Sequence, residues 1–228
     1  MRKKEAVYHQ PNGKYIRPLI FGFNDGTVSN LALVAGLSGA ALSNHIVILG
    51  GFADMIAGAI SMGLGNYIAT KSQMEFYRHE YQREQEEIKT VPQLERKEIE
   101  ALYRKKGFHG KELEMVVNKI TSNKKRWLKV MMEEELGISK TSVENPITIG
   151  IITFIAFLIA AFIPVIPFFF VPLQEALIIA SLVCMTLLFL VGVFKTHFTG
   201  RSWLRSGIEM VLVGAIATGA SYYLGKVF

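Results

Sequence analysis

Long apolar stretches and one charged block alternate along this chain of 228 residues. An apolar helix of about 20 residues is long enough to cross the hydrocarbon core of a bilayer. Five stretches have about this length, and they cover residues 18–42, 46–70, 147–170, 172–194 and 206–226. The pattern therefore predicts an all-α membrane protein with five transmembrane helices.

The charged block covers residues 71–145 and predicts a water-exposed insert between the second and third apolar stretches. It holds 16 of the 25 Lys and Arg residues and 14 of the 19 Asp and Glu residues. No Pro or Gly interrupts residues 69–89. The second transmembrane helix is therefore predicted to continue into the insert as far as about Lys89.

Two further helices complete a predicted three-helix insert. Thr90 is predicted to cap the first of them, Pro92 suits its first turn and Gly107 its end. The other covers about residues 110–137 and ends at a glycine. The predicted domains are an N-terminal segment (1–17), the first two transmembrane helices (18–70), the insert (71–145) and the last three transmembrane helices (146–228).

The Lys and Arg residues predict the orientation of the chain. They occur in the N-terminal segment, in the insert and in the link before the last helix, whereas the other two links lack them. Because these residues concentrate on the cytosolic side of membrane proteins, the N-terminus and the insert are predicted to be cytosolic. The same bias accounts for the net charge of +6, and the insert mixes both signs, so nucleic-acid binding is not predicted.

Several kinds of enzyme site are excluded because their residue patterns are missing. The single cysteine, Cys184, allows neither an intrachain disulfide nor a cysteine-based metal site. Ferritin-like oxidation sites use Glu-x-x-His, and none of the five histidines has Glu three residues before it. The sequence also lacks a glycine-rich phosphate loop and a nucleophile elbow. We therefore expect neither an enzyme nor a permanently bound cofactor.

Two carboxylates, Asp25 and Asp54, lie inside the first two apolar stretches without a nearby Lys or Arg. An Asp in the middle of a membrane span costs roughly 2.5–3.5 kcal/mol on insertion scales, so such acids usually mark an ion or proton path. The alternative is that each acid lies near a helix end and reaches water. Met62 is about 80° around the helix from Asp54, and a thioether beside a carboxylate suits Fe(II), although methionine alone more often serves packing.

The acids of the insert are spaced as neighbours on a helix face. Glu84 and Glu87 are three residues apart, and so are Glu95 and Glu98. Residues three or four apart share one face of a helix, so the helices of the insert can direct carboxylates toward one centre. The third helix adds a mixed group: Met131, Met132 and Glu135. The alternative is a solvated face with salt bridges, in which the methionines belong to the core.

Four separate segments resemble the vacuolar iron transporter family, in the same order along the chain. They read DGTVSNLALVAGLSGA, GGFADMIAGAISMGLGNYIATKS, YRHEYQREQEEIKTVPQLERKEI and MMEEELGIS. The resemblance extends from about residue 17 to the last apolar stretch. It implies a five-span homodimer in the lipid bilayer that exports Fe(II) from the cytosol in exchange for protons, with Mn(II), Co(II) or Zn(II) as related substrates.

The resemblance also implies roles for individual residues. Asp25, Asp54 and Met62 correspond to the translocation path, and Asp54 departs from the glutamate that is usual in the family. The residues that correspond to the cytosolic metal site are Glu84, Glu87, Glu95, Glu98, Met131, Met132 and Glu135. Glu209 is a further possible contact for a proton or metal ion, and we do not favour it.

Two other functions are consistent with the residues alone. One is a membrane-anchored protein that binds, senses or stores metal without transporting it. The other is a membrane iron oxidase, which the missing Glu-x-x-His motif disfavours. The expected location is the plasma membrane if the source is prokaryotic and the vacuolar membrane if it is eukaryotic.

Overall fold

A computed structural model describes residues 13–138 and 144–227, and no strand occurs within these ranges. Most of the predicted N-terminal segment (1–17) lies outside the described residues. The helices are α1 (Gly13–Gly39), α2 (Asn44–Thr90), α3 (Pro92–Lys105), α4 (Gly110–Thr121), α5 (Lys124–Val130), α6 (Pro146–Phe162), α7 (Leu173–Thr199) and α8 (Trp203–Val227). The chain forms two compact units, one made of residues up to 68 and from 146 onward, the other of residues 69–145.

Four helices in the described ranges are long and apolar enough to cross a membrane. They are α2, α6 with the 3₁₀ turn that follows it, α7 and α8. Helix α1 has 27 residues, which is about 40 Å of helix, but it is not among the four because polar residues interrupt its apolar surface. It packs against α6, α7 and α8, and its Thr27 and Asn30 are fully buried. The fifth transmembrane helix therefore stays a prediction.

Small residues allow the helices of the first unit to approach closely. A Cβ atom added to Gly26 of α1 would lie 2.5 Å from the backbone oxygen of Phe157 in α6, and one added to Gly58 of α2 would overlap the Phe157 ring. Close backbone approach at glycine is the usual way in which transmembrane helices pack. Gly51, Gly58 and Gly63, on either side of Asp54 and Met62, therefore serve helix packing, whereas Gly65 has no neighbour within 4 Å among the described residues.

The prolines after α6 form a compact turn that contacts the start of α2. Residues Ile163–Phe169 make a 3₁₀ helix, which is compatible with the two prolines it contains. The side-chain amide of Asn44 donates hydrogen bonds to the carbonyl oxygens of Phe168 and Val171, at 2.9 and 2.8 Å. These bonds connect the first turn of α2 to the apolar loop before α7.

In the second unit, α2 continues to Thr90, as the sequence predicts, but the predicted cap is wrong. Thr90 is the last residue of α2, and its hydroxyl donates to the carbonyl oxygen of Glu86 at 2.9 Å. Val91 occupies the cap position of α3 without a side-chain bond, and Pro92 begins the helix. Gly107 follows the end of α3 with a φ of 96°, which favours glycine.

The predicted third helix of the insert is divided. It breaks after α4, and Asn123 caps α5 by accepting a hydrogen bond from the backbone of Arg126 at 3.1 Å. A π-helical turn, Met131–Glu135, follows α5 directly. The core of the unit contains side chains from the end of α2, from α3, α4 and α5 and from the π-helical turn: Ile88, Ile99, Leu113, Val117, Ile120, Trp127, Leu128, Met131 and Met132.

Candidate functional site

A carboxylate cluster lies where α2 ends and α3 begins. Glu84 and Glu87 belong to the last two turns of α2, and Glu95 to the first turn of α3. One carboxylate oxygen from each lies within 4.8 Å of the others. The helices are interrupted only at Val91, between the end of α2 and the start of α3. The chain turns back at this residue, which brings Glu95 close to Glu84, eleven residues earlier. Three acids that the sequence singles out are thus brought together.

The two acids at the centre of this cluster are buried and incompletely bonded. Glu84 is 6% exposed and Glu95 is 2% exposed. Each has one buried carboxylate oxygen that accepts no hydrogen bond from the described residues. Glu87 is partly neutralised, because it accepts a hydrogen bond of 3.1 Å from Arg83. A buried charge without a partner is costly, so the arrangement requires a proton or a bound cation.

The pKa values of the clustered carboxylates also indicate a site that holds protons or a cation. Burial, and secondarily repulsion from the neighbouring acids Glu135, Glu87 and Glu98, raises the pKa of Glu84 to about 7. Burial and the same kind of repulsion, from Glu98 first, raise the pKa of Glu95 to about 7. The pKa of Glu135 is also raised, by burial and by Glu98 and Glu87. The charges of all five acids are therefore close enough to act on one another, and Glu84 and Glu95, with pKa values of about 7, bind protons near neutral pH.

The residues of the π-helical turn, Met131–Glu135, have different environments. The widened turn is closed by a hydrogen bond of 3.1 Å from the backbone of Leu136 to the oxygen of Met131. Met131 and Met132 are buried in the apolar core, so the packing alternative applies to both, and their role as metal ligands stays a prediction. Glu134 accepts hydrogen bonds from Tyr103 and Lys106, which leaves Glu135 as the acid that interacts with the cluster.

The two aspartates of the first unit lie on neighbouring helices. Asp25 is on α1 and Asp54 on α2, and both are half-buried. The hydroxyl of Ser29 on α1 donates to a carboxylate oxygen of Asp54 at 3.5 Å. The two carboxylates are near enough for their charges to repel each other. Neither forms an ion pair with a Lys, Arg or His in the part of the chain that the structure describes.

Two further polar residues of α1, Asn24 and Asn30, are next in sequence to Asp25 and Ser29, and the sequence reasoning did not select them. Asn30 donates from its amide to the carbonyl oxygen of Gly51 at 2.8 Å, which fixes α1 against α2. The side-chain oxygens of Asn24 and Asn30 are buried and accept no hydrogen bond from described residues. Oxygens of this kind are suitable partners for a passing cation. The signal was available in the segment NDGTVSN, which is unusually polar for an apolar helix.

Met62 lies further along α2 than Asp54. Eight residues separate it from Asp54, or about 12 Å along the helix. Its half-buried side chain packs against the apolar cluster of Met55, Ala59, Phe157 and Ala161. One turn later, Asn66 donates to the hydroxyl of Thr153 on α6 at 2.8 Å. Packing thus explains Met62, and its place in a transport path stays a prediction.

The chain is similar to proteins of one known family along nearly its whole length. Residues 16–226 match the family described as the VIT family. The chain is 40% identical to vacuolar iron transporter 1 of Arabidopsis thaliana over 220 residues, which is 96% of this chain and 88% of that protein. It is 38% identical to a vacuolar iron transporter of Centaurea cyanus, covering 99% and 91% of the two chains. For a vacuolar iron transporter of Plasmodium falciparum the identity is 30%, with 98% and 86% covered.

Proposed function

Because this chain belongs to the vacuolar iron transporter (VIT) family, and is thus a metal transporter and not an enzyme, we propose that it exports Fe(II) from the cytosol in exchange for protons. The observation that carries the proposal is the pair of half-buried acids, Asp25 and Asp54, on the neighbouring helices α1 and α2 without an ion-pair partner among the described residues. A travelling cation, or a proton in its place, neutralises them.

The carboxylate cluster of the insert collects the metal ion. Its buried, unpartnered oxygens on Glu84 and Glu95 support this role, because a divalent cation supplies the charge that the site lacks. Glu87, Glu98 and Glu135 add oxygens at its edge. Carboxylates bind Fe(II), Mn(II), Co(II) and Zn(II), so the residue types allow all four as substrates. In this proposal the N-terminus and the insert are cytosolic, as the distribution of Lys and Arg predicts, so the cluster lies on the side from which the ion is taken.

Transport and proton exchange use the same groups in this mechanism. A metal ion that leaves the cluster moves to Asp25 and Asp54, and the amide oxygens of Asn24 and Asn30 offer further partners. After the ion is released, a proton takes its place on a carboxylate, because an uncompensated charge there is unfavourable. Competition between metal and proton for one carboxylate couples the two fluxes. A homodimer, in which each copy contributes its first two helices, extends the path at the two-fold axis.

Transport itself is tested in sealed proteoliposomes with an imposed pH gradient. We expect the purified chain to move Fe(II) across the bilayer and to dissipate the gradient in proportion to the ion moved. Liposomes without protein, and proteoliposomes that contain no gradient, are the controls. Metal binding without any movement of metal would instead support the anchored storage or sensing protein.

Metal binding by the insert is expected to weaken in acid. Glu84 and Glu95 have pKa values of about 7, so above pH 7 they are ionised and bind metal without losing protons. Below pH 7 each must release a proton, and each proton displaced lowers the apparent affinity by up to about tenfold per pH unit. Calorimetric titration of the full chain in detergent with Mn(II), at several values between pH 5 and 8, measures this. A constant affinity across that range would contradict the assigned site.

A further inference from the structure

A polar cleft at the start of α8 lies apart from both groups of acids described above. It has a volume of about 200 Å³. The residues that line it are Arg201, Ser202, Arg205, Ser206 and Glu209. All five belong to the first unit, on the side of the membrane predicted to be cytosolic. The proposed transport mechanism does not use any of them.

Two guanidinium groups make the cleft suitable for an anion. Arg201 and Arg205 are exposed, and neither forms an ion pair with an acid in residues 13–138 or 144–227. A guanidinium presents paired N–H groups whose spacing matches two oxygens of a phosphate. Glu209 offsets one of the two positive charges. The remaining single positive charge favours a singly charged phosphodiester over a doubly charged phosphate.

A buried hydroxyl supplies the second, independent indication of a ligand. Ser206 lines the cleft and is only 2% exposed, and its hydroxyl oxygen has no hydrogen-bond partner among the described residues. A serine in a helix commonly bonds to the carbonyl four residues earlier, but here the oxygen of Ser202 accepts only the backbone N–H of Ser206, at 3.1 Å. The hydroxyl of Ser206 is thus available to a molecule in the cleft.

The backbone at the start of α8 also favours an anion in the cleft. The helix begins at Trp203, so the N–H groups of its first turn have no acceptor within the helix, and the positive end of the helix dipole lies at the cleft. Close packing holds this wall in place. A Cβ atom added to Gly192 of α7 would lie 2.5 Å from the carbonyl oxygen of Ser206, so the two helices touch through their backbones.

We propose that this cleft binds a phosphate group, either in the headgroup of a phospholipid or as free phosphate. Trp203 directly follows Ser202, which lines the cleft, and is 57% exposed. Tryptophan is enriched where a membrane meets water, which favours the lipid. Basic pockets between transmembrane helices on the cytoplasmic side are a known way to bind lipid headgroups. The bound phosphate stabilises the joint between α7 and α8.

The test uses the full chain, purified in a non-ionic detergent without phosphate. Its melting temperature is followed while dihexanoyl phosphatidylglycerol or inorganic phosphate is added at constant ionic strength. We expect a saturable rise, with an apparent affinity about tenfold weaker in Arg205→Gln and about threefold weaker in Ser206→Ala. Ser206→Ala removes no hydrogen bond made by the hydroxyl to the described residues, so folding is kept. Lys226→Gln, at the opposite end of α8, is the matched control and is expected to bind like the unmodified chain.

The two ligands identify the source of the phosphate. Saturation by the lipid alone assigns the cleft to a headgroup, and saturation by both, with mutual competition, assigns it to phosphate in general. The proposal is overturned if neither ligand gives a saturable shift. It is also overturned if Arg205→Gln and Ser206→Ala bind like the unmodified chain, or if Lys226→Gln loses as much affinity as they do.

Discussion

Replacing Asp54 by asparagine is expected to abolish metal transport while metal binding by the insert is kept. Asparagine has nearly the same shape and still accepts the hydrogen bond from Ser29, but it carries no charge. A cation in the path then lacks a charged partner, and leaving a charge without its partner away from water costs about 3–5 kcal/mol, so the transport rate should fall by at least about 100-fold. Fe(II) uptake into proteoliposomes measures the loss, and calorimetry with Mn(II) measures binding.

Two further variants make this result specific. Glu175→Gln removes a charge from an exposed acid in the first turn of α7 and is expected to transport normally. Asp54→Glu restores the residue that the resemblance identifies as usual in the family, and it is expected to keep transport because the charge is retained. Unchanged uptake in Asp54→Asn would exclude this carboxylate from the path.

Replacing both Glu84 and Glu95 by glutamine is expected to lower metal affinity by at least about 100-fold and, at the same time, to stabilise the metal-free protein above pH 7. The loss of affinity follows because two charged ligands become neutral. The gain in stability follows from the raised pKa values. Both groups have folded-state pKa values of about 7 against an ordinary 4.5, so the metal-free fold is favoured below pH 4.5 and loses stability as the pH rises through 7.

The control for this variant is Glu112→Gln with Glu114→Gln. These two acids lie on α4 in the same unit and are exposed, so the control removes the same charge without touching the cluster. Thermal unfolding at pH 5 and pH 8, with and without Mn(II), separates the effects. A cluster variant that is no more stable than the unmodified chain at pH 8, or that is still stabilised by Mn(II), would contradict the proposed site.

Local signals in the sequence were sufficient for part of the fold. The uninterrupted residues 69–89 predicted that α2 continues beyond the apolar stretch, and its observed end at Thr90 confirms this. Pro92 and Gly107 bound α3 as expected, because proline suits a first helical turn and glycine adopts a positive φ. Thr90 was wrongly assigned as a cap, since its hydroxyl bonds back to its own helix instead of forward.

The third helix of the insert shows where local signals failed. Residues 110–137 read as one amphipathic helix, and the competing cap at Asn123 was overlooked. The π-helical turn is set by packing, because one extra residue per turn lets Met131 and Met132 both enter the core while Glu135 remains beside the cluster. A pattern with a period of 3.6 residues does not describe such a turn.

The sequence by itself determined the helical class, the apolar helices, the charged block between them and the acids that stand out against their surroundings, because these depend on composition and on neighbours along the chain. Only the tertiary structure decided which of those acids meet. The fold at Val91 buries Glu84 beside Glu95, and one carboxylate oxygen of each has no hydrogen-bond partner among the described residues. The packing of α1 against α2 brings Ser29 to Asp54. Burial and repulsion at such points depend on distances between residues far apart in the chain, and it is these that raise the carboxylate pKa values in the cluster.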